Sequence, residues 1–301
     1  MTGRFAPSPT GRMHLGNVFC ALLSWLSAKS QGGEWRLRIE DLDPQRSRRS
    51  FAMQLQEDLL WLSLPWDGEV VWQSERSDIY EHYLQKLKDA GLTYPCFCTR
   101  ADIMATQAPH ETDGRIVYAG TCRGKILDEA AKNTPAAVRL IVPNEVIRFH
   151  DGHYGEQQVN LAEHCGDYIL RRKDGAWAYQ LAVVVDDALM GVTEVVRGRD
   201  LLLSTPQQLH LYRTLDFPEP RFCHHPLLVN ESGLRLCKRD LSMDLGVLQQ
   251  KHVSPEEIIG NLAYLAGIIP EPTSTLPQDL LPLFTWEKVP QQDIQVFCFD
   301  A

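Results

Sequence analysis

The spacing of apolar positions along the first forty residues predicts a strand, a helix and a second strand. Residues 3–6 form a short apolar stretch, a loop rich in proline and glycine follows, and residues 17–29 carry apolar side chains at helical spacing. Gly32 and Gly33 end that helix, and residues 35–40 alternate between apolar and polar side chains as a strand does. Such a βαβ unit predicts a parallel sheet with a ligand-binding loop at the carboxyl end of its first strand.

Farther along the chain, helical spacing recurs over residues 51–62, 78–90, 205–215, 255–265 and 279–283. Residues 94–165 differ in character, with cysteines, histidines, glycines and many turns around strand candidates at 137–142 and 146–149, and are typical of an insertion. The parent fold resumes at residues 168–172. The nearly continuous apolar run at residues 178–187 is typical of a strand buried on both faces of a parallel sheet.

These patterns predict an α/β protein in four parts. A Rossmann-like main domain is expected in two halves, residues 1–93 and 166–240. The inserted subdomain lies between them at residues 94–165, and a small helical region follows at residues 241–301.

The composition is that of an ordinary globular protein, with 44% hydrophobic and 23% charged residues among 301. No apolar run approaches the roughly 18 to 20 residues that span a bilayer, and the chain starts without the apolar core of a secretory signal. We therefore expect a cytoplasmic protein whose 8 cysteines are thiols or metal ligands rather than disulfides. Because the formal net charge is -9, a nucleic acid would have to bind at a local basic patch, such as Arg46, Arg48 and Arg49.

Two segments carry candidate chemistry. The loop at residues 7–17 places Gly11, His14 and Gly16 just before the first helix, where glycines allow a ligand to approach the backbone and the helix N-terminus attracts a nucleotide phosphate. Residues 234–240 bring Lys238 and Arg239 side by side, a pair of cations suited to a triphosphate in its transition state. Each segment alone is more often a plain turn, and only their occurrence together indicates a nucleotide site.

The combination of motifs resembles the class I aminoacyl-tRNA synthetases, specifically the glutamyl-tRNA synthetase group. Residues 14–17 are similar to the group's His-Ile-Gly-His signature and residues 236–239 to its Lys-Met-Ser-Lys-Ser signature, while residues 4–11 match its amino terminus nearly residue for residue. Asn17 stands where the group has a second histidine, and Cys237 where serine or alanine is expected. The similarity covers residues 3–62 and 167–240 and makes the Rossmann-like domain the catalytic one.

The resemblance implies two substrate sites. ATP is expected to contact His14, Gly16, Asn17, Lys238 and Arg239, with His14 and Lys238 as the catalytic residues. The residues expected to contact L-glutamate are Arg4, Ala6, Ser8, Glu40, Tyr179 and Arg197. Because Glu40 is the only acid in that set, we expect it to pair with the substrate ammonium while Arg4 and Arg197 take the two carboxylates. A bidentate arginine would also reject glutamine, whose amide NH₂ would face the arginine's own donors.

The resemblance also implies a reaction and its partners. Glutamate is activated by ATP, accompanied by Mg²⁺, to glutamyl-adenylate without a need for tRNA. Synthetases of the group normally continue for well over a hundred residues into a helical anticodon-binding region, so a chain of 301 residues points to the group's shorter paralogues. These transfer glutamate to queuosine at the wobble position of tRNA(Asp), and we expect such a protein to be a monomer. The alternatives are a compact synthetase that charges the 3′ end of tRNA(Glu) and a catalytically silent tRNA-binding or zinc-binding paralogue.

A structural zinc site is a further expectation. Cys96, Cys98 and Cys122 supply three soft ligands, whereas closed structural zinc sites have four. The resemblance places Tyr118 in the fourth position, and Asp102 and His110 are the competitors that the residues themselves offer. One Zn²⁺ is expected, with three free thiols as the alternative.

The neighbouring His224 and His225 invite a metal interpretation as well. Adjacent residues of a strand point to opposite faces, so the two imidazoles are poorly placed to share an ion. We interpret them as structural or near the adenosine.

Overall fold

The computed structural model describes residues 1–105, 117–126, 133–230, 232–234, 236 and 244–296. Within them the helices are α1 (Leu15–Ser30), α2 (Arg49–Trp61), α3 (Ser77–Asp89), α4 (Arg100–Ala105), α5 (Leu161–His164), α6 (Tyr179–Leu189), α7 (Thr205–Thr214), α8 (Leu245–Gln250), α9 (Pro255–Leu265) and α10 (Pro277–Leu280). The strands are β1 (Thr2–Phe5), β2 (Glu34–Ile39), β3 (Val71–Trp72), β4 (Thr93–Cys96), β5 (Ala137–Leu140), β6 (Val146–Asp151), β7 (Gly155–Asn160), β8 (Ile169–Arg171), β9 (Glu194–Gly198), β10 (Arg221–His225), β11 (Leu228–Val229) and β12 (Ile294–Gln295).

The centre of the fold is a parallel sheet, which confirms the predicted α/β class. Strands β1, β2 and β3 pair in parallel in that order, and β9 pairs in parallel with β10, which pairs in parallel with β6. The backbone N–H of Thr193 donates to the carbonyl of Thr2 over 2.9 Å, so β9 lies beside β1. The chain therefore leaves β1 toward β2 on one side and has β9 on the other, and this is the kind of switch point at which open α/β sheets bind ligands.

Most of the predicted elements are present within a few residues of their expected bounds. The first βαβ unit is formed by β1, α1 and β2, and the apolar residues of α1 are buried against the sheet. The hairpin of β6 and β7 falls inside the segment predicted as an insertion, and through β6 it extends the sheet that contains β10 and β9. Strands β4, β5 and β8 form a separate antiparallel sheet. The division of the chain at residues 93, 165 and 240 stays a prediction.

The strand predicted over residues 178–187 is wrong, because this segment forms helix α6. Every side chain from Leu181 to Val185 is fully buried, and the helix packs against both α3 and α7. A helix that is surrounded by protein is apolar on all sides and therefore loses the 3.6-residue period that would identify it. A run of five buried residues without period is equally compatible with a buried strand, and tertiary packing decides between them.

Helices α8, α9 and α10 pack onto the same core as α1. Ile258, Leu262 and Leu280 are buried in one apolar cluster with the inner face of α1. Ser254 caps α9 by accepting from the backbone N–H of Glu257, whose side chain accepts from the Ser254 backbone N–H in return. Among the helices of the described residues, none is both long enough and apolar enough to cross a membrane.

Candidate active site

A cavity of about 450 Å³ opens at the carboxyl ends of β1, β2 and β9. It is the meeting point of most of the predicted site residues, since its walls include Arg4, Ala6, Ser8, His14, Gly16, Asn17, Glu40, Tyr179 and Arg197. Lys238 and Arg239 lie outside the described residues. Leu236 lines the cavity, and Asp244 forms a backbone bridge with His14, so the described residues on both sides of segment 237–243 are at this cavity.

His14 caps the amino terminus of α1 at the edge of the cavity. Its Nδ1 accepts from the backbone N–H of Gly16 over 3.1 Å, and Asn17 Oδ1 accepts from the backbone N–H of His14 over 3.2 Å. This reciprocal cap gives Asn17 a structural task that the sequence did not reveal. With Nδ1 as an acceptor, a neutral His14 carries its proton on Nε2. Gly16 is required for close packing, because a Cβ there would lie 3.0 Å from the His14 ring.

Helix α8 is joined to the same loop. The backbone N–H of Leu245 donates to the carbonyl of Met13 over 3.0 Å. Arg12 donates to Asp58 of α2 over 3.2 Å and to Gln249 of α8 over 2.5 Å. The loop that precedes α1 and the helix that follows segment 237–243 therefore hold each other in place.

Asp187 of α6 lies between two arginines beneath the cavity. Arg38 Nη1 donates to its Oδ1 over 2.5 Å, and Arg4 Nε donates to the same oxygen over 3.2 Å. Neighbouring Asp186 points to another set of donors, Arg76, Gln73 and Tyr80. Consecutive carboxylates of one helix thus tie β1 and β2 to α6 on one side and α3 on the other.

The ion pairs of this network set its charges. Burial disfavours ionisation of Asp187, but Arg38 and Arg4 outweigh it and hold the pKa of Asp187 below its ordinary value. Burial likewise raises the pKa of Glu40, with Arg38 opposing the shift. Three guanidinium groups, those of Arg4, Arg38 and Arg197, face the two carboxylates of Asp187 and Glu40. Asp186 also lies 3.9 Å from Arg38 Nε, but its charge is balanced by its ion pair with Arg76. The arrangement has one positive charge in excess and favours a ligand with a net charge of minus one.

Glu40 and Arg4 keep part of their bonding capacity for such a ligand. Glu40 Oε1 accepts from Arg38 Nη2 over 3.0 Å, and its Oε2 makes no hydrogen bond to the described residues. Arg4 uses Nε for Asp187 and Nη1 for the carbonyl of Val196, over 3.1 Å, while its Nη2 makes no hydrogen bond to that part of the chain. An ammonium and a carboxylate can therefore each find a partner.

Arg197 is more constrained than a bidentate clamp requires. Its Nε donates to His224 Nε2 over 3.0 Å, its Nη1 to Gln208 over 2.8 Å, and its Nη2 to Thr205 over 2.9 Å and to the Leu201 carbonyl over 3.3 Å. Four of its five N–H groups are thus in use, which leaves one hydrogen on Nη1. Arg197 as it stands offers a ligand one hydrogen bond rather than two.

Three partners of the predicted residues escaped the sequence analysis of the site. Asp187 was placed on a strand, and the acidic pair at the end of the apolar run was the signal that could have marked it. Asp151 belongs to the predicted insertion, yet its carboxylate contacts His224 beside the cavity over 2.5 Å. His224 was interpreted as structural or near the adenosine, and it lies directly behind Arg197.

The three cysteines form a second candidate site away from the cavity. The Sγ atoms of Cys96, Cys98 and Cys122 all lie within 4.8 Å of one another. Tyr118 Oη lies 3.3 Å from Cys96 Sγ and 3.7 Å from Cys98 Sγ. Tetrahedral zinc with Zn–S bonds of about 2.3 Å separates its ligands by roughly 3.8 Å, so these spacings fit a four-coordinate ion.

Among the described residues, Tyr118 is the candidate for a fourth ligand of this cluster, and its Oη also accepts from the Cys122 backbone N–H over 2.9 Å. Asp102 is engaged elsewhere, because its carboxylate accepts from the Thr99 backbone N–H and hydroxyl over 2.7 and 2.8 Å. His110, the other competitor, lies outside the described residues. Burial disfavours the Cys122 thiolate, but hydrogen bonds from the Phe97 backbone and from the cluster lower the pKa of Cys122 to about 7. A thiolate, the form that binds metal, is therefore accessible near neutral pH at Cys122, whereas burial raises the pKa of Cys98 to about 11.

Comparisons with known proteins identify the family. The model of the tRNA synthetases class I (E and Q), catalytic domain, matches residues 1–278. A protein of Symbiobacterium thermophilum named glutamyl-Q tRNA(Asp) synthetase is 44% identical, over 98% of this chain and 96% of its own length. One of the same name from Nitratidesulfovibrio vulgaris is 43% identical, over 97% of this chain and 94% of its own.

Solved structures agree with these relatives. A glutamate tRNA ligase from Elizabethkingia meningosepticum, in complex with its amino acid, superimposes with a TM-score of 0.84 at 28% identity. A glutamate-tRNA synthetase from Elizabethkingia anophelis gives 0.85, also at 28% identity. Each similarity covers 99% of this chain, and 67% and 68% of the two larger proteins.

Replacing Asp187 tests the network beneath the cavity. In D187N two buried arginines lose their shared carboxylate, and we expect the free energy of unfolding to fall by about 3 kcal/mol, as for other broken buried ion pairs. D174N is the matched control, because Asp174 forms an exposed pair with Arg172 and should cost less than about 1 kcal/mol. Urea unfolding at pH 7 measures both.

The difference in stability between the wild type and D187N should also depend on pH, in a direction set by the pKa of Asp187. The pKa of Asp187 is lowered in the folded state, so its stabilisation is complete above the unfolded pKa of about 3.9 and is lost as the pH falls through the folded value. The stability gap between wild type and D187N should stay constant from about pH 7 to 5 and narrow below about pH 4. A gap that widens on acidification would contradict this assignment.

Proposed function

The chain belongs to the tRNA synthetases class I (E and Q), and from this premise we propose that it activates L-glutamate with ATP and transfers it to queuosine in tRNA(Asp). It is a ligase of the class I aminoacyl-tRNA synthetase family. The observation that carries the proposal is the single positive charge in excess at the cavity. Glutamate, with one ammonium and two carboxylates, supplies the opposite charge, whereas glutamine is neutral overall.

The described contacts support one orientation for glutamate. Glu40 Oε2 is the acceptor for the substrate ammonium, and Arg4 Nη2 and the remaining Arg197 hydrogen are the donors for its carboxylates. Tyr179, at the start of α6, and Ala6 and Ser8, which follow β1, complete the wall. An uncharged γ-amide in place of a carboxylate would leave buried donors unpaired, at a cost of about 1–3 kcal/mol for each.

ATP binds beside the glutamate, at the amino terminus of α1. The α-carboxylate oxygen of glutamate attacks the α-phosphorus, the bond to the β,γ-diphosphate breaks, and glutamyl-adenylate and pyrophosphate result. The protonated Nε2 of His14 and the ammonium of Lys238 stabilise the negative charge that develops around phosphorus. Mg²⁺ enters with ATP and neutralises part of the triphosphate charge. This activation step requires no tRNA.

In the second step a hydroxyl of the queuosine cyclopentenediol attacks the activated carbonyl, an ester forms and AMP leaves. The support for this acceptor is the shared name of the relatives, which are alike over nearly their whole length. A basic surface for the nucleic acid lies beside the cavity. Arg48 is tied to the cavity loop by its backbone N–H bond to the Pro9 carbonyl, 3.0 Å, and Arg49 lies 4.3 Å above the Trp72 ring.

The cysteine cluster is proposed to hold one structural Zn²⁺ through Cys96, Cys98, Cys122 and Tyr118. The spacing of the three Sγ atoms and their donor type both support it. When bound, the ion would cross-link β4 to the segment around residue 120 and would take no part in the reaction.

A transfer assay tests the function. Labelled glutamate and ATP should form labelled tRNA(Asp) only when the tRNA contains queuosine, and a queuosine-free transcript should stay unlabelled. Pyrophosphate exchange with glutamate should proceed in the absence of any tRNA. Charging of tRNA(Glu), abolished by periodate oxidation of its terminal ribose, would contradict the proposal and favour the compact glutamyl-tRNA synthetase.

The K238A variant serves as the inactive control for this assay. Removing one donor that stabilises a transition-state charge typically slows catalysis by about 10² to 10³-fold, and we expect a loss of that size in exchange. Its circular dichroism should match that of the wild type. Exchange at the wild-type rate would remove Lys238 from the mechanism.

Elemental analysis of protein purified without added metal tests the zinc site. We expect about one zinc per chain, and loss of the ion in C96S, because three remaining ligands do not close a structural site. C165S is the matched control, since the Cys165 thiol donates to the Leu161 carbonyl instead. Zinc-free wild type, or equal zinc in C96S, would favour free thiols.

A further inference from the structure

A buried series of three hydrogen-bonded side chains runs from the end of β6 to the cavity. Asp151 at the end of β6, His224 on β10 and Arg197 on β9 follow one another, with 2.5 Å from Asp151 Oδ2 to His224 Nδ1 and 3.0 Å from His224 Nε2 to Arg197 Nε. The side chains of Asp151 and His224 are fully buried. This series of side chains connects the ends of β6 and β10 to Arg197, the arginine proposed to bind glutamate.

The donors and acceptors along this series of side chains determine the tautomer of His224. Arg197 Nε always carries hydrogen, so His224 Nε2 must be the acceptor and the ring proton must lie on Nδ1, directed at Asp151. Burial lowers the pKa of His224 to about 4 even though Asp151 opposes the shift, so the ring is neutral at neutral pH. His224 therefore passes the orientation of a carboxylate to Arg197 without adding a charge.

Asp151 is itself held in one orientation. Its Oδ1 accepts from the backbone N–H groups of His153 and Tyr154, over 3.0 and 2.9 Å, and of His224, over 3.3 Å. Its Oδ2 is left for the imidazole. The carboxylate cannot rotate without breaking the turn between β6 and β7, so it is a rigid anchor for the ring.

The arrangement leaves the charge of Arg197 unneutralised. The guanidinium is held by an imidazole, an amide, a hydroxyl and a carbonyl, and it makes no ion pair with a carboxylate within the described part of the chain. A carboxylate in direct contact would orient the arginine equally well, but it would compete with the substrate carboxylate for the same charge. A neutral ring placed between anchor and arginine orients the group and keeps its charge for the ligand.

We propose that Asp151 and His224 are positioning residues for substrate binding, which hold Arg197 with one N–H directed at a carboxylate of the bound amino acid. This inference rests on the proposed function, because it takes glutamate as the ligand of Arg197. It adds Asp151, a residue of the β6–β7 hairpin, to the residues that determine substrate binding, although Asp151 contacts neither substrate.

The variant D151N tests this relay from Asp151 through His224 to Arg197 with almost no change in the shape of the side chain at position 151. Asn Oδ1 can still accept from the turn, but its NH₂ would face His224 Nδ1, drive the ring proton to Nε2 and set it against the Arg197 Nε–H. We expect the KM for glutamate in pyrophosphate exchange to rise about tenfold, the effect of one lost hydrogen bond to a charged group. The kcat and the KM for ATP should change less than about twofold. D167N, which alters a buried carboxylate that bonds to Tyr94 and the Val142 backbone, should leave the KM for glutamate unchanged.

Two substitutions of His224 separate positioning from packing. H224N keeps a polar group near Asp151 and loses the acceptor at the Nε2 position, so it should resemble D151N. H224Q places its amide oxygen at that position and should restore most of the affinity for glutamate. Equal KM values for H224N and H224Q, or parallel losses in the glutamate and ATP parameters, would overturn the relay and leave only a structural role.

A tautomer measurement is independent of activity. In ¹⁵N-labelled wild type, NMR should find His224 neutral with its proton on Nδ1 at pH 7, and on Nε2 in D151N. A proton on Nε2 or a charged ring in the wild type would overturn the relay. If the wild type shows the Nδ1 tautomer but no exchange with glutamate, the proposed function is wrong. The hydrogen bonds of the relay would then be confirmed, but its role in glutamate binding would be excluded.

Discussion

The carboxylate of Asp187 lies between Arg4 and Arg38, and the shape of the cavity depends on this contact. Arg4 comes from β1 and Arg38 from β2, so two neighbouring cations would face each other at the carboxyl ends of adjacent strands without an anion between them. Placing Asp187 on α6 also fixes the depth at which this helix docks. The network keeps Arg4 extended, with Nε on Asp187 and Nη2 left over for a ligand.

The surrounding charges explain why the cavity favours an acidic amino acid. Glu40 is held by Arg38, so Asp187 and Glu40 together neutralise two of the three arginines at the cavity. The third, Arg197, is oriented by neutral groups and retains its charge. We propose that this imbalance selects glutamate over glutamine, and that the single N–H of Arg197 is sufficient because the discrimination depends on charge as well as on hydrogen-bond count.

Much of the fold could be predicted from the sequence where the pattern had a period. Helix α1 carries Ser24 and Ser27 among its apolar residues, which preserves a helical spacing although both serines are buried, and strand β2 alternates; both were predicted within two residues or so. Helix α6 was mistaken for a strand because it is buried on all sides, so its sequence has no period. The family motifs identified residues that line the cavity, and these lie in or just after β1 and β2, at the starts of α1 and α6, and in β9.

The partners behind those residues could not be predicted in the same way. Asp187 and Asp151 are brought to the site by tertiary packing, from a helix taken for a strand and from a segment taken for an insertion. Asp151 has no local signature, because a buried carboxylate differs from an exposed one only in its neighbours, and the signal for Asp187 was its place in an acidic pair at the end of an apolar run. Asn17 is similar: its departure from the family motif looked like a change in phosphate binding, and the structure shows it capping α1.

The most direct test of the account compares glutamate with glutamine as the amino acid in ATP–pyrophosphate exchange. A site with charged groups aimed at a substrate carboxylate can reject an uncharged analogue by about 10⁴-fold, and we expect kcat/KM for glutamate to exceed that for glutamine by at least about a thousandfold. Comparable values for the two amino acids would contradict the claim that the unneutralised charge at Arg197 selects the substrate.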